Sequence, residues 1–201
     1  LATIRGKFMT DDAAVISQTM VAVLGLKRSC AETVAAGFGA YLAIVNAADH
    51  FIFALPSELG AAFASAVKAA GATYAIRLPV TVGSHTPFMD RAAERFDAEL
   101  RQATWNAARG DILSGISGEK VFGREQMTKA LITQINRTID FQACLEGAYA
   151  YGCRVFLELG PGNALARMAR EALPGIDARS AAEFHDPYAV AAWATTAMSR
   201  M

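Results

Sequence analysis

The chain has 201 residues, 53% of them hydrophobic, and its 19 Lys plus Arg balance 19 Asp plus Glu, so the formal net charge is zero. That length and apolar content support one domain with a real core, or one domain carrying a small inserted subdomain. No Lys/Arg block stands out, which disfavours a nucleic-acid partner, and no apolar run approaches the roughly 20 residues of a membrane span.

Leu1, Ile4 and Phe8 recur at helical spacing from the first residue. The start has neither an initiator Met nor a charged segment ahead of an apolar one, so it is no signal peptide. The expectation is a numbering that opens inside a helix, with further sequence before Leu1. Thr19 to Leu26 is β-rich, and Cys30 to Ala36 reads as a short helix capped by Ser29. Ala40 to Val45 and His50 to Leu55 are apolar runs joined by Asn46-Ala47-Ala48-Asp49, a hairpin signal. A helix opens at Ser57, carries Leu59, Phe63, Ala66, Val67 and Ala70, and ends at Gly71. Thr73 to Val80 is the next strand. The order β-α-β-β-α-β is the split βαβ of a ferredoxin-like sheet, over residues 15–80.

The stretch Val82-Gly83-Ser84-His85-Thr86-Pro87-Phe88-Met89 follows an apolar run from Ile76 and precedes a helix, Arg91 to Leu100. A strand end that opens onto a crevice is where α/β proteins place their chemistry, so His85 is a candidate catalytic residue. The alternative is a helix-start residue beside Ser84 as N-cap. Beyond it, the predicted elements are a helix at 90–102, a strand at 111–116, helices at 124–136 and 140–151, and a strand at 154–159. A Gly160-Pro161-Gly162 turn, a helix at 164–172, a short strand at 177–180 and a helix at 187–198 complete the chain. Strands alternating with helices imply a parallel sheet with helices on its faces. Asp90, Glu94 and Asp97 read as a solvated helix face and first-turn dipole partners. Cys30, Cys144 and Cys153 are odd in number and lack CxxC spacing, which suits reduced, buried thiols of a cytoplasmic protein. No His/Cys/Asp cluster has metal-ligand spacing.

Five segments now stand in order: Arg5-Gly6-Lys7-Phe8-Met9, Gly71-Ala72 to Leu78-Pro79-Val80, Ser84-His85-Thr86-Pro87-Phe88-Met89, Gln134, and Glu158-Leu159-Gly160-Pro161-Gly162. Together they resemble malonyl-CoA:acyl carrier protein transacylases, from Arg5 to about Arg170. The tail Ala178-Arg179-Ser180-Ala181-Ala182-Glu183-Phe184, followed by a Trp193 helix, is similar to the transacylase subunit of malonate decarboxylase systems. The resemblance implies the C-terminal part of an α/β-hydrolase-like acyltransferase domain, formed by residues 1–14 and 81–201, with the ferredoxin-like subdomain of residues 15–80 inserted in it. It also implies a ping-pong reaction: a serine in a Gly-His-Ser-x-Gly elbow takes a malonyl group from coenzyme A, and the phosphopantetheine thiol of an acyl carrier protein removes it. The coenzyme A thioester is then a substrate, and no bound cofactor is expected.

By the same resemblance His85 is the general base, and Gln134 supplies the backbone carbonyl that holds its other ring nitrogen. Arg5 receives the malonyl carboxylate, for which a planar guanidinium fork is suited in a way lysine is not. Ser84 and Phe88 flank the histidine as acyl-pocket residues, though a capping serine and a core phenylalanine remain equal readings. Asn46 matches a loop position near the family's site, or is a hairpin residue tolerant of φ > 0. Arg137-Thr138 stands where the family has Asn-Pro after the matched glutamine. No G-x-S-x-G occurs in the chain; Ser114-Gly115-Ile116-Ser117-Gly118 comes nearest and lacks the spacing. The serine is therefore expected before Leu1. Two readings remain: a malonyl acyltransferase, and a non-catalytic module derived from one that binds a carrier protein or subunit.

Overall fold

The computed structural model describes residues 1–200. In chain order its elements are α1 (Ala2–Ala13), β1 (Gln18–Leu24), α2 (Arg28–Ala36), β2 (Tyr41–Ala47), β3 (His50–Pro56), α3 (Gly60–Ala69), β4 (Tyr74–Arg77) and α4 (Asp90–Gln102). They continue with β5 (Ile112–Leu113), β6 (Lys120–Val121), α5 (Gly123–Asn136), β7 (Ile139–Asp140) and α6 (Phe141–Ala150), then β8 (Val155–Glu158), α7 (Ala164–Ala172), β9 (Asp177–Ser180) and α8 (Pro187–Ser199). The architecture is mixed α/β and divides into two units, Leu1–Cys144 and Leu145–Met201.

The first unit is organised on a sheet of order β4-β1-β3-β2-β7. β1 pairs antiparallel with β3 and β4, β2 pairs antiparallel with β3, and β7 adds to β2 in parallel. Because side chains alternate along a strand, Val21, Val23, Phe51, Phe53 and Leu55 share one face. They form a core with Ala31 and Ala35 of α2 and Phe63 and Val67 of α3. Phe51, Phe53 and Phe63 are essentially fully buried, and each such burial contributes about 1.5–3 kcal/mol. Met20 and Ala54 point to the opposite face, where Leu78 and Phe88 cover them. A second core joins α1, α4 and α5 through Met9, Ala92, Ala93, Phe96, Leu100 and Ile135.

Several sequence expectations are corrected here. The run from Ile76 to Val82 is not one strand: β4 ends at Arg77. Leu78 still donates to the Met20 carbonyl at 2.8 Å, but Pro79 has no N–H with which to continue pairing. His85 therefore lies on an irregular segment past the sheet, not at a strand end. Ser84 caps nothing, because α4 is entered from a short 3-10 turn at Pro87–Met89 that follows Thr86. The donor at the start of α4 is satisfied from a distance: Asp12, buried on α1, accepts from Ala92 N–H at 2.6 Å. Ser29 is likewise no cap, since α2 begins at Arg28 with Lys27 in the cap position.

Asn46 does not sit in the hairpin turn either. It lies within β2 beside a bulge between Val45 and Ala47, and Ala48-Asp49 makes the turn. The strand expected at 111–116 is the two-residue β5, paired antiparallel with β6. Cys30, Cys144 and Cys153 are free thiols, as expected, but Cys153 is exposed and the other two are half-buried.

In the second unit, parallel pairing is confined to β8 and β9, from Val155–Asp177 to Glu158–Ser180. Gly160 (φ +86°) and Gly162 (φ +84°) take left-handed backbone between β8 and α7, a conformation that costs glycine nothing. Glu158 accepts from Ala166 N–H at 2.8 Å, which satisfies a free donor at the start of α7. Trp193 of α8 donates to Asp177 at 3.2 Å and packs beside Phe184.

Candidate active site

His85 is the only non-glycine residue with positive φ among the described residues, at +64°. A bulky side chain there costs about 1–3 kcal/mol and persists only where its surroundings over-determine it. Four contacts do so. The His85 N–H donates to the Ile135 carbonyl at 2.8 Å, and the ring nitrogen Nδ1 meets the Gln134 carbonyl. Two residues earlier, Gly83 N–H donates to the Gln18 side-chain oxygen at 2.6 Å. The hydroxyl of Thr86, only 1% exposed, donates to the Gly83 carbonyl at 2.6 Å. The end of α5 and the start of β1 thus grip the segment from two sides.

The chemistry of the ring follows from its partner. A carbonyl oxygen can only accept, so Nδ1 carries the proton and Nε2 keeps its lone pair. Burial lowers the His85 pKa below the ordinary imidazole range, the bond to Gln134 partly offsets this, and the Arg5 guanidinium lowers it further by like-charge repulsion. The imidazole is consequently neutral near pH 7, the state a general base requires.

The same depression has a stability consequence. An unfolded chain binds a proton at His85 near the ordinary value of about 6.5, whereas the folded one resists it. The unfolded state therefore holds more protons below that value. The stabilisation is complete above about pH 6.5 and is lost as pH falls through it towards the folded pKa. Denaturant midpoints measured at pH 7.5 and 5.5 are expected to fall on acidification, and to fall less in His85→Gln. An unchanged difference in that variant rules out His85 as the source.

Arg5, on α1, contributes the positive charge that His85 senses. Its guanidinium is partly withdrawn from water, which lowers its own pKa from the ordinary value. Its Nε is buried and makes no hydrogen bond among the described residues. A desolvated, delocalised cation with an unused donor is poised to accept a carboxylate.

The other sequence candidates are placed as follows. Ser84 is half-buried next to His85. Phe88 packs edge-on against Tyr41, with ring centroids 5.2 Å apart, and joins the sheet to the helical core. Asn46, 8% exposed, turns its amide to His50 Nε2 at 3.3 Å. Arg137 lies beside Asp90 at 3.4 Å and, with Arg28, Tyr41 and Thr138, lines a cleft of about 480 Å³ that His85 also borders. A larger groove of about 840 Å³ runs between α4 and α5 over Ala93, Leu100 and Ile132. It does not include His85, and its charged rim is mixed in sign. Among the described residues no cluster of His, Cys, Asp or Glu is arranged for a metal ion, and no helix is long and apolar enough to cross a membrane. Sequence reasoning missed Gln18 and Asp12, whose partners lie on other segments and leave no local signal, and it missed the local bond from Thr86 to Gly83.

Comparison with known proteins gives relatives of one kind. No family model matches the chain. It is 28% identical over 199 residues to the malonyl CoA-acyl carrier protein transacylase of Escherichia coli (strain K12), covering 96% of this chain and 62% of that protein. The enzyme of the same name from Bacillus subtilis (strain 168) is 26% identical over 173 residues, covering 83% of this chain and 54% of its own length. The crystal structure of malonyl-CoA:acyl carrier protein transacylase from Xanthomonas oryzae pv. oryzae superposes with a TM-score of 0.86 at 25% identity, over 95% of this chain and 62% of that one. The resemblance carried by Arg5, His85, Gln134 and the Gly-Pro-Gly turn is thus to proteins that are relatives by sequence and by fold. The chain spans less than two thirds of the length of these relatives.

Proposed function

We propose that this chain is the base-bearing and carboxylate-binding part of an acyltransferase that moves a malonyl group from coenzyme A to the phosphopantetheine thiol of an acyl carrier protein. One observation carries the reading: the half-buried Arg5 guanidinium, its Nε buried and unbonded, lies near enough to lower the basicity of a neutral, tautomer-fixed His85. A malonyl thioester has a carboxylate at one end and a reactive carbonyl at the other. Arg5 suits the first and His85 the chemistry at the second.

In this mechanism His85 Nε2 takes the serine hydroxyl proton as the oxygen attacks the thioester carbonyl. The tetrahedral adduct collapses, the C–S bond breaks, and the imidazolium returns the proton to the departing coenzyme A thiolate. The carrier's thiol then gives its proton to His85, attacks the serine ester, and leaves with the malonyl group as the serine oxygen is reprotonated. The Gln134 carbonyl stabilises the transient imidazolium without a third carboxylate. Ser84 and Phe88 are assigned to the acyl pocket and Asn46 to its vicinity.

The serine belongs to a Gly-His-Ser-x-Gly elbow outside these 201 residues, since none of them forms that motif. Residues 15–80 are assigned to a ferredoxin-like insert, a reading supported by the order β4-β1-β3-β2. Residues 1–14 and 81–201 are assigned to the partial α/β-hydrolase-like core. Within the family, the tail from Ala178 to Phe184 with Trp193 favours the transacylase subunit of a malonate decarboxylase over an enzyme of fatty-acid synthesis. The absent motif also favours a second reading, a non-catalytic module that binds a carrier protein or subunit.

The chain alone, incubated with malonyl-CoA, is expected to show no malonyl adduct by intact-mass spectrometry. A stoichiometric adduct on any of its own serines overturns the placement of the nucleophile. If a polypeptide joining the chain to a serine elbow is folded yet never acylated, the catalytic reading gives way to the binding module.

A further inference from the structure

We propose that Gln18, the first residue of β1, is a positioning residue that sets the ring of His85 through the backbone of Gly83. Gln18 is 2% exposed, and its side-chain oxygen accepts from Gly83 N–H at 2.6 Å across 65 residues of sequence. Gly83 leaves no slack: a Cβ there would meet that same oxygen at 2.7 Å, the Phe88 ring at 3.0 Å and Ala54 at 3.2 Å. The Gly83 carbonyl is held in turn by the buried Thr86 hydroxyl at 2.6 Å. His85 lies between these two residues in left-handed backbone.

An isolated histidine does not choose that conformation, which survives only where several constraints agree. The Ile135 and Gln134 carbonyls fix the α5 side of His85. Gln18 fixes the opposite side, by way of the peptide preceding Gly83. Without this anchor the 83–86 segment can relax to negative φ, and the ring rotates away from the Gln134 carbonyl. The Nδ1–H tautomer, and with it the free Nε2, is then no longer enforced. What matters at Gln18 is one acceptor oxygen at one place.

The catalytic meaning of this arrangement rests on the general-base reading of His85. Its structural content does not, so the test reads the ring and not turnover. Long-range proton–nitrogen correlation spectra of the 201-residue chain at pH 8 report the tautomer of each histidine, with His50 and His185 as internal references. The wild type is expected to show His85 protonated on Nδ1. Gln18→Leu, which keeps bulk but removes the acceptor, is expected to lose that signature while His50 and His185 stay unchanged. Gln18→Glu retains an acceptor oxygen and is expected to keep it.

A folded Gln18→Leu variant with the Nδ1–H tautomer intact overturns the proposal, and so does loss of the tautomer in both variants. A residue that merely stabilises β1 lowers the melting temperature without changing the tautomer. If Gln18→Leu does not fold, a through-hydrogen-bond coupling from Gly83 N–H to the Gln18 carboxamide carbon in the wild type decides. Its presence, with the tautomer kept in Gln18→Glu, supports the assignment, and its absence ends it.

Discussion

In a polypeptide that joins this chain to a Gly-His-Ser-x-Gly elbow, as proposed, His85→Ala is expected to lower the rate of serine acylation by malonyl-CoA by about 10²–10⁴-fold, the usual contribution of a positioned general base. The argument is geometric before it is electrostatic. With Nδ1 committed to the Gln134 carbonyl, Nε2 is the one ring atom left to accept a proton. Burial and the nearby Arg5 charge keep the ring neutral at physiological pH. Alanine removes the acceptor but keeps the Cβ and with it the left-handed strain at this position, so the variant is expected to fold with a modest loss of stability. Single-turnover acylation followed by mass spectrometry separates the chemical step from carrier binding. Near-normal acylation in the folded variant removes His85 from the mechanism, and an effect on carrier affinity alone points to the binding module.

The fold was legible where local pattern and long-range packing agree. α4 buries Ala92, Ala93, Phe96 and Leu100 at helical spacing, and it occupies the residues that spacing predicts. α7 and β9 behave in the same way. The failures share a cause. Apolar composition from Ile76 to Val82 reads as strand, yet strands end where pairing ends, and the absent donor of Pro79 is not a hydrophobicity signal. The β5–β6 pair is two residues deep on each strand and too short for any period to register.

The site divides along a similar line. His85 carries chemistry in its side chain and is visible as a residue type in a turn. Gln134 contributes a main-chain oxygen, which no residue identity encodes, so only its resemblance to the transacylases drew attention to it. Gln18 and Asp12 hold the His85 segment and the α4 terminus through bonds spanning 65 and 80 residues. Such contacts depend on a fold already formed and leave no trace in a local window.

Arg5→Ala is expected to reduce kcat/KM for malonyl transfer by about 30- to 5000-fold, while acetyl transfer is spared or raised. The range corresponds to the 2–5 kcal/mol typical of removing one partner from a desolvated charge pair. Malonyl and acetyl thioesters share the reacting carbonyl and differ by one carboxylate, so a loss confined to malonyl isolates the term that Arg5 supplies. The free guanidinium is already stripped of part of its hydration, with Nε unbonded, so a carboxylate arriving there restores interactions that burial removed. On the proposed reading acetyl offers nothing to that cation and leaves it unpaired and partly desolvated, which is expected to make acetyl the poorer substrate. Alanine removes the penalty for acetyl and the partner for malonyl together. Loss of Arg5 also withdraws a positive charge from His85, so the His85 titration is expected to move upward towards the ordinary range in the same variant. Lysine at this position keeps the charge but not the fork, and is expected to recover part of the malonyl rate. Equal losses for both substrates would make Arg5 a structural residue and leave the malonyl assignment without its main support.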